Sequence, residues 1–506
     1  MNGMIPSRRV AFKTLGCKLN QAETESMAAA FRKLGWAVVD FGDDADAVVV
    51  NGCTVTNAAD RKSRSAMNRA IRIKRPDSPE TGAVHTHIPK LRDTSSKMSD
   101  AHKLSDTHKL SDTHKLSDIH KLSDIPNSGD VTQPEADHNS PLVVMTGCFV
   151  DAHKQSLEAD GRTYVVDNGS KSRIPQLVDA HFHGEVLPGA VETGRDPFGF
   201  PLAERVFRTR AMVKIQDGCD NFCTYCIIPF VRGRGISRPL PEVVRAVEDA
   251  AASGYKEVVL TGVNMSRWTD GEAGFTRLIE AVLNARGDFR LRLGSVEPDL
   301  IDNGLLDLMN HPKAAPHMHL CLQSGSERIL AAMKRQYTAA EFIRIVEELR
   351  RRIPLFNVTT DVIVGFPGET DRDFQDSLDV CRRLEFGHVH TFPYSRREGT
   401  RADKMSNQIS AAVKKERGEA VRRLSEESKK SYRSRLVGTT VGVLTETLHD
   451  NAGDTLRGLS ESYVPVRFPR PAAHTPEESL NRIHKVRITA MDDGDDPDLL
   501  GVLFSS

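Results

Sequence analysis

Six short runs rich in β-branched and apolar residues recur between Arg208 and about Arg397: "AMVKIQDGC", "EVVLTGVN", "LRLGSVEP", "MHLCLQSG", "VTTDVIVGFPGE" and "HVHTFPYS". Stretches of helical periodicity, such as "PEVVRAVEDAAASG" and "FTRLIEAVLNARG", separate them. Six βα units in a row imply a parallel barrel or a partial one, which places any chemistry at the carboxyl ends of the strands. The unusual residues fall there. A loop with Cys219, Cys223 and Cys226 follows the first run, and Asn264, Ser295, Glu297, Gln323, Ser324, Asp361 and a turn from Gly365 to Gly368 lie at or near the ends of later ones. Helix capping explains Ser295 or Ser324 taken singly; it fits six consecutive strand ends less well.

Upstream, Arg9 to about His181 also alternates strand and helix, with buried-strand patterns at "RVAFKTLGC", "ADAVVVNGC" and "PLVVMTGC". Each run ends in a cysteine. In an open parallel sheet the carboxyl ends of the strands line one edge, so Cys17, Cys53 and Cys148 are expected to converge although distant in sequence. The predicted fold class is therefore α/β, with an N-terminal α/β domain over residues 8–182, a linker over 183–207 and a partial (β/α)6 TIM-like barrel over 208–435.

Residues 77–140 interrupt the first domain with four copies of a six-residue repeat, "AHKLSDTHKLSDTHKLSDIHKLSD". A small solenoid or a His-rich metal tract is one reading, since seven of the 18 histidines fall here. Each repeat, however, has one Leu as its clearly apolar residue, too little to offset the entropy of ordering the rest, so the composition predicts a low-complexity insertion without a fixed fold. Beyond the helical stretch from Ala411 to Leu436, residues 436–506 change to short alternating runs, "TTVGVLTET", "SYVPVRF", "HKVRITAMD" and "LLGVLFS". These predict a small antiparallel β-barrel, OB-like in size, which serves nucleic-acid binding or plain packing equally well.

The 69 basic and 69 acidic residues of this 506-residue chain cancel, so only local clustering of charge speaks to partners. No apolar run approaches the 18 or so residues that span a bilayer, and the start lacks a signal-peptide core, which together predict a cytoplasmic protein without a membrane partner. Eight cysteines are too sparse for a disulfide scaffold, and closely spaced thiols in a reducing compartment point to metal. Three thiolates from one C-x3-C-x2-C loop suit a four-iron cluster whose fourth iron is left free for a small chelating ligand. A zinc site completed by a distant His is the rival. Tyr225, inside the loop, suits either stacking on a bound nucleoside or shielding a cluster from water.

"TLGCKLNQAETE", "NGCTVTNAADRKSR", "VVMTGC", "KIQDGCDNFCTYCIIP", "LTGVN", "HLCLQSGSERIL", "MKRQYT", "DVIVGFPGET" and "FPYSRREGTRA" occur in that order along the chain. Together they resemble the radical S-adenosylmethionine methylthiotransferase family over nearly the whole length. "LGCKLNQ", from Leu15 to Gln21, resembles the branch acting on N6-threonylcarbamoyladenosine in tRNA. The resemblance implies two 4Fe–4S clusters and S-adenosylmethionine. Cys219, Cys223 and Cys226 would hold the cluster that chelates S-adenosylmethionine, and Cys17, Cys53 and Cys148 an auxiliary cluster carrying the sulfur to be transferred. One S-adenosylmethionine would yield a 5′-deoxyadenosyl radical and another the methyl group. Tyr225, Asn264, Ser295, Glu297, Gln323 and Asp361 are the expected cofactor contacts, from strand-end position and motif matching. The terminal barrel would be the family's TRAM domain, and tRNA and an electron donor such as flavodoxin or ferredoxin would be partners; the sulfur donor is unknown.

Two basic segments bear on an RNA partner independently of the family, of which the helix from Ala411 to Leu436 is mixed in sign and reads better as a solvated face. "RKSRSAMNRAIRIKR" has seven Lys or Arg and no acid, and Arg61, Lys62, Arg64, Arg69 and Arg72 are the phosphate contacts it predicts, against a merely solvated helix face. Two features depart from the family pattern: Gly52 stands where Thr is usual, and the repeat lengthens the gap between Cys53 and Cys148. Cys321 and Cys381 match no ligand position and read as small buried hydrophobes. Two other functions compete: the same chemistry on isopentenyladenosine tRNA or a ribosomal protein, and a non-catalytic iron–sulfur or zinc protein that only binds RNA.

Overall fold

The computed structural model describes residues 8–74, 140–157, 163–185, 196–200, 209–449, 453–494 and 496–504. The repeat and most of the expected linker lie outside the described residues.

The first unit is built from β1 (Arg9–Thr14), α1 (Lys18–Lys33), β2 (Ala37–Val39), β3 (Ala47–Gly52), α2 (Asn57–Ala70), β4 (Leu142–Gly147), α3 (Cys148–His153), β5 (Thr163–Val166) and α4 (Ile174–His183). Its strands form one parallel sheet in the order β2-β1-β3-β4-β5. The continuous apolar runs of β3 and β4 follow from burial on both faces. Val48, Val50 and Met145 pack with Met67 on one side, whereas Val49 and Val144 pack with Phe31 and Ile174 on the other. The three strands singled out in the sequence are neighbours, and Gly52 pairs with Gly147 across the end of β3 and β4. Their carboxyl ends, each followed by a cysteine, therefore lie side by side.

The second unit carries the six predicted strands: β6 (Ala211–Lys214), β7 (Glu257–Thr261), β8 (Arg290–Leu293), β9 (His317–Gln323), β10 (Asn357–Val364) and β11 (His388–Pro393). One parallel sheet has the order β8-β7-β6; the other adds Ser295–Val296 to β9-β10-β11. They join where Leu291 N donates to Lys313 O at 2.7 Å and Ala315 N to Leu291 O at 2.8 Å. Strand alternation sorts the side chains. Val258, Leu260, Leu291, Leu293, Met318, Leu320, Leu322, Val358 and Val362 belong to the apolar core beneath the helices. Glu257, Arg290, Arg292, His317, His319, Cys321 and Asp361 take the opposite face, which is the lumen. No pairing joins β6 to β11 among the described residues, so the ring is partial. α1 lies against β6 on that open side, where Glu23 meets Lys214.

The helix Ala411–Ser434 leads to the terminal unit, a closed barrel of β12 (Thr440–Leu448), β13 (Thr455–Ser460), β14 (Pro465–Pro469), β15 (Ile483–Met491) and β16 (Leu499–Leu503). The sequence patterns reveal four of these five strands. "TLRGLS" escapes because its inward positions are Leu456, Gly458 and Ser460, of which only one is large and apolar. Gly458 is required by packing: a Cβ there would lie 2.1 Å from Leu444 O. This barrel seats on the amino-terminal end of the larger one, with Arg292 donating to Glu461 O at 3.0 Å, Asn357 Nδ2 to Ser462 O at 2.7 Å and Arg290 to Gly442 O at 2.8 Å.

Candidate active site

Cys17, Cys53 and Cys148 converge at the carboxyl edge of the first sheet. Cys17 is the exposed residue capping α1, Cys53 follows β3, and Cys148 opens α3 directly after β4. The approach depends on glycine. Gly16 has φ +97°, and a Cβ there would lie 2.8 Å from Cys53 Sγ. Ser63 holds Cys53 at both ends, its Oγ accepting from Cys53 N at 3.0 Å and donating to Cys53 O at 2.9 Å. The departure at Gly52 has a local cause: a Cβ there would sit 2.9 Å from Phe149 Cβ and 3.3 Å from Ser63 Oγ, so a side chain would displace the residues that fix Cys53. Burial pushes the Cys53 thiol up to about 11, with Cys148 and Cys17 adding to the rise, and burial raises Cys148 as well.

Cys219, Cys223 and Cys226 lie on the loop after β6, all partly exposed. Gly218 launches it with φ +72°, where a Cβ would be 2.0 Å from Arg234 O. Asn264 Nδ2 approaches Cys219 Sγ at 3.7 Å, and its own backbone N is held by Gln216 Oε1 at 2.8 Å. Arg335 Nη1 donates to Cys223 Sγ at 3.2 Å and lies 3.5 Å from the Tyr225 hydroxyl, while its Nη2 pairs with Glu297. Burial drives the Cys226 thiol up to about 12, reinforced by Cys223.

A buried ion network links the two cysteine sets. Glu23 of α1 accepts from Lys171 at 2.5 Å, Lys214 at 2.8 Å and Arg232 at 3.1 Å; Asp217 accepts from Lys214 at 2.8 Å and Arg232 at 3.0 Å. Burial alone would raise both carboxyls, but the three cations hold Glu23 well below the usual range, and Arg232 and Lys214 bring Asp217 down to about 2. Arg232 Nε also donates to Cys148 Sγ at 3.1 Å. Three cations thus face two carboxylates, and the thiolate that Cys148 would become as a cluster ligand is the charge that would balance them.

The other predicted contacts divide. Ser295 is paired with His319 and so stands on the lumen face; Gln323 ends β9 with φ +63°, a strained conformation for a side-chain-bearing residue. No hydrogen bond joins either to the cysteines among the described residues. Asp361 lies deeper, 3.3 Å from His319 Nε2. Cys381 packs in the apolar core as expected, whereas Cys321 is buried on the polar lumen face, within 4.8 Å of the ligand atoms of His319 and Asp361. Arg232, Arg335, Glu23, Lys214 and Gln216 were not legible as site residues. They lie scattered along the chain, and only the fold makes them neighbours of the cysteines.

The chemistry of these donors fits iron–sulfur clusters. Each set offers three thiols within electrostatic range of one another. A cation points at one sulfur of each, and the buried Asn264 Oδ1 beside Cys219 has no hydrogen-bond partner among the described residues. α2 and the turn after it border the auxiliary set: Arg61, Lys62, Arg69 and, in the turn, Arg72 are exposed and Arg64 is half-buried, with its guanidinium 5.8 Å from the Phe149 ring centroid. No acid pairs with any of the five among the described residues.

Residues 213–381 match the family described as "Radical SAM superfamily" and residues 9–84 the one described as "Uncharacterized protein family UPF0004". The chain is similar to the threonylcarbamoyladenosine tRNA methylthiotransferase MtaB of Aquifex aeolicus, 31% identical over 91% of this chain and 96% of that protein, and to the MtaB of Bacillus subtilis, 31% identical over 95% and 93%. The tRNA-2-methylthio-N(6)-dimethylallyladenosine synthase of Fusobacterium nucleatum is 30% identical over 91% and 93%. Enzymes of this kind use S-adenosylmethionine and 4Fe–4S clusters, typically two. Matched along nearly its whole length, with a partial barrel, two cysteine triads and a closed terminal barrel of TRAM type, the chain belongs to the MtaB-type methylthiotransferase family of radical S-adenosylmethionine enzymes.

Proposed function

We propose that this enzyme converts N6-threonylcarbamoyladenosine to its 2-methylthio derivative in tRNA, at the position just 3′ of the anticodon. The observation that carries the choice of substrate is the polarity of the lumen beneath the two cysteine sets. Arg292, His317, His319, Asp361, His390 and Lys18 surround it: His317 feels Arg292, Lys18, His319 and His390, and Asp361 feels His319, His390 and Lys18. An isopentenyl group would need an apolar cavity, because burying charged groups against hydrocarbon leaves them unpaired. A carbamoyl-threonine, with its hydroxyl, amides and carboxylate, matches such a surface and offers an anion to Lys18, which has no ion pair among the described residues.

In this reading Cys219, Cys223 and Cys226 hold one 4Fe–4S cluster and Cys17, Cys53 and Cys148 the other. S-adenosylmethionine at a reduced cluster supplies radical reactivity toward the adenine C2–H bond, which is neither acidic nor attached to a leaving group. The protein's part is to position and to exclude water. Gln216 fixes Asn264 beside Cys219, Arg335 fixes Cys223 and Glu297, and Arg232 ties Cys148 to the loop that begins at Asp217. Electrons come from a carrier such as flavodoxin or ferredoxin. No described helix is long and apolar enough to cross a membrane, which accords with work on tRNA in the cytoplasm.

Mass spectrometry of digested tRNA from a deletion strain tests the substrate. The 2-methylthio-N6-threonylcarbamoyladenosine of tRNAs reading codons that begin with A should vanish. Its persistence, with loss of 2-methylthio-isopentenyladenosine or of a methylthiolated ribosomal protein, would overturn the assignment. The tRNA grip has its own test. Replacing Arg61, Lys62, Arg69 and Arg72 with Gln should weaken binding and flatten its log–log salt dependence by roughly 0.7–0.9 for each phosphate no longer neutralised. An unchanged slope would make α2 a solvated face only.

A further inference from the structure

Lys18 is the first residue of α1, next to Cys17, and its half-buried side chain enters the lumen from the open side of the partial barrel. Its ammonium lies 5.5 Å from the Tyr463 ring centroid. The same ring has Arg292 at 4.7 Å and Arg210 at 5.3 Å from its centroid, and His317 stacks at 4.9 Å between ring centroids. Both arginines have a carboxylate within ion-pair distance: Arg292 pairs at 2.7 Å with Glu257, which also takes Arg290, and Arg210 pairs with Glu446 at 2.9 Å. Lys18 has neither an acid within ion-pair distance nor a hydrogen-bond acceptor among the described residues. Glu257 and Asp361 act on this ammonium from a distance, but neither reaches it, and an ammonium among other cations with no anion in contact is a site for an anion brought from outside.

Position says which anion. In adenine, C6, which bears the N6 substituent, is separated from C2 only by N1. A base whose C2 faces the Cys17 side of the site therefore projects its N6 substituent past the residue that follows Cys17. We propose that Lys18, backed by the Tyr463 ring and the Arg210 and Arg292 guanidiniums, binds the carboxylate of the substrate's N6 substituent and thereby selects it. This inference rests on the threonylcarbamoyladenosine reading. It goes further by naming the group that distinguishes that substrate and the residue that reads it. Arg210 and Arg292, already engaged by Glu446 and Glu257, set the field and the shape; Lys18 makes the contact.

The test uses the reconstituted full-length enzyme and three synthetic anticodon stem-loops, bearing threonylcarbamoyladenosine, the same nucleoside with its carboxylate converted to the carboxamide, or isopentenyladenosine. Binding is read anaerobically by fluorescence anisotropy, alongside single-turnover conversion. The wild type should bind the acid more tightly than the amide by on the order of 10- to 100-fold, the range of a charge-assisted hydrogen bond. K18Q, at full iron content, should bind the acid as weakly as the amide while its affinity for the amide is unchanged; K18R should keep the preference. A wild type that converts the acid but binds both equally, or a K18Q that loses the same factor on both, overturns the role of Lys18 and leaves the substrate reading standing. A wild type that converts only the isopentenyl stem-loop overturns both. The wild-type comparison holds even if K18Q fails to load iron.

Discussion

Changing Cys219, Cys223 and Cys226 together to Ala will leave roughly half of the iron of the reconstituted protein, about four of about eight atoms, and abolish cleavage of S-adenosylmethionine. Changing Cys17, Cys53 and Cys148 will also remove about half, but cleavage should survive and methylthio transfer alone should stop. The two outcomes follow from separation. Each cysteine perturbs the thiols of its own set: Cys148 and Cys17 raise Cys53, and Cys223 and Cys219 raise Cys226. Iron analysis and anaerobic chromatography of the nucleoside products distinguish them. Intact protein that holds only zinc and cleaves nothing would defeat the radical assignment and favour an RNA-binding metalloprotein.

What the sequence made legible was periodic or clustered. Six runs of alternating strand character were enough for the barrel, because a parallel strand buried on its helix side must repeat Val, Leu and Ile at every second position. The convergence of Cys17, Cys53 and Cys148 followed from topology alone, since β1, β3 and β4 end on the same edge. The lumen was not legible as such. His317, His319 and Cys321 alternate with Met318, Leu320 and Leu322 on one strand, and nothing in that alternation tells a polar lumen from a solvated face. Nor does it reveal that Cys321 would stand on the polar side. Tyr463 and Arg210 lie far apart in the chain and meet only when the terminal barrel seats on the larger one. Glu23 and Arg232, 209 positions apart, are an extreme case: each reads locally as an ordinary charged residue.

That pair yields the second large effect. Glu23→Gln leaves Lys171, Lys214 and Arg232 facing Asp217 alone in a site where every side chain is at most 7% exposed. Removing one partner from a buried ion cluster costs about 3–5 kcal/mol, because the remaining charges stay desolvated. Arg232→Met is different. It leaves two ammoniums with two carboxylates, so the iron-free protein should lose much less stability than with Glu23→Gln, as read by the midpoint of denaturant unfolding. Loading iron should reverse the advantage. With Cys148 a ligand, its sulfur is a thiolate, and Arg232 is the cation that donates to it at 3.1 Å. Arg232→Met should therefore reconstitute with iron depleted from the auxiliary set, and with methylthio transfer lost while S-adenosylmethionine cleavage persists. If both variants destabilise the iron-free protein equally and Arg232→Met still takes up a full complement of iron, the network is only a structural clamp between the two units, and the charge balance assigned to Cys148 is wrong.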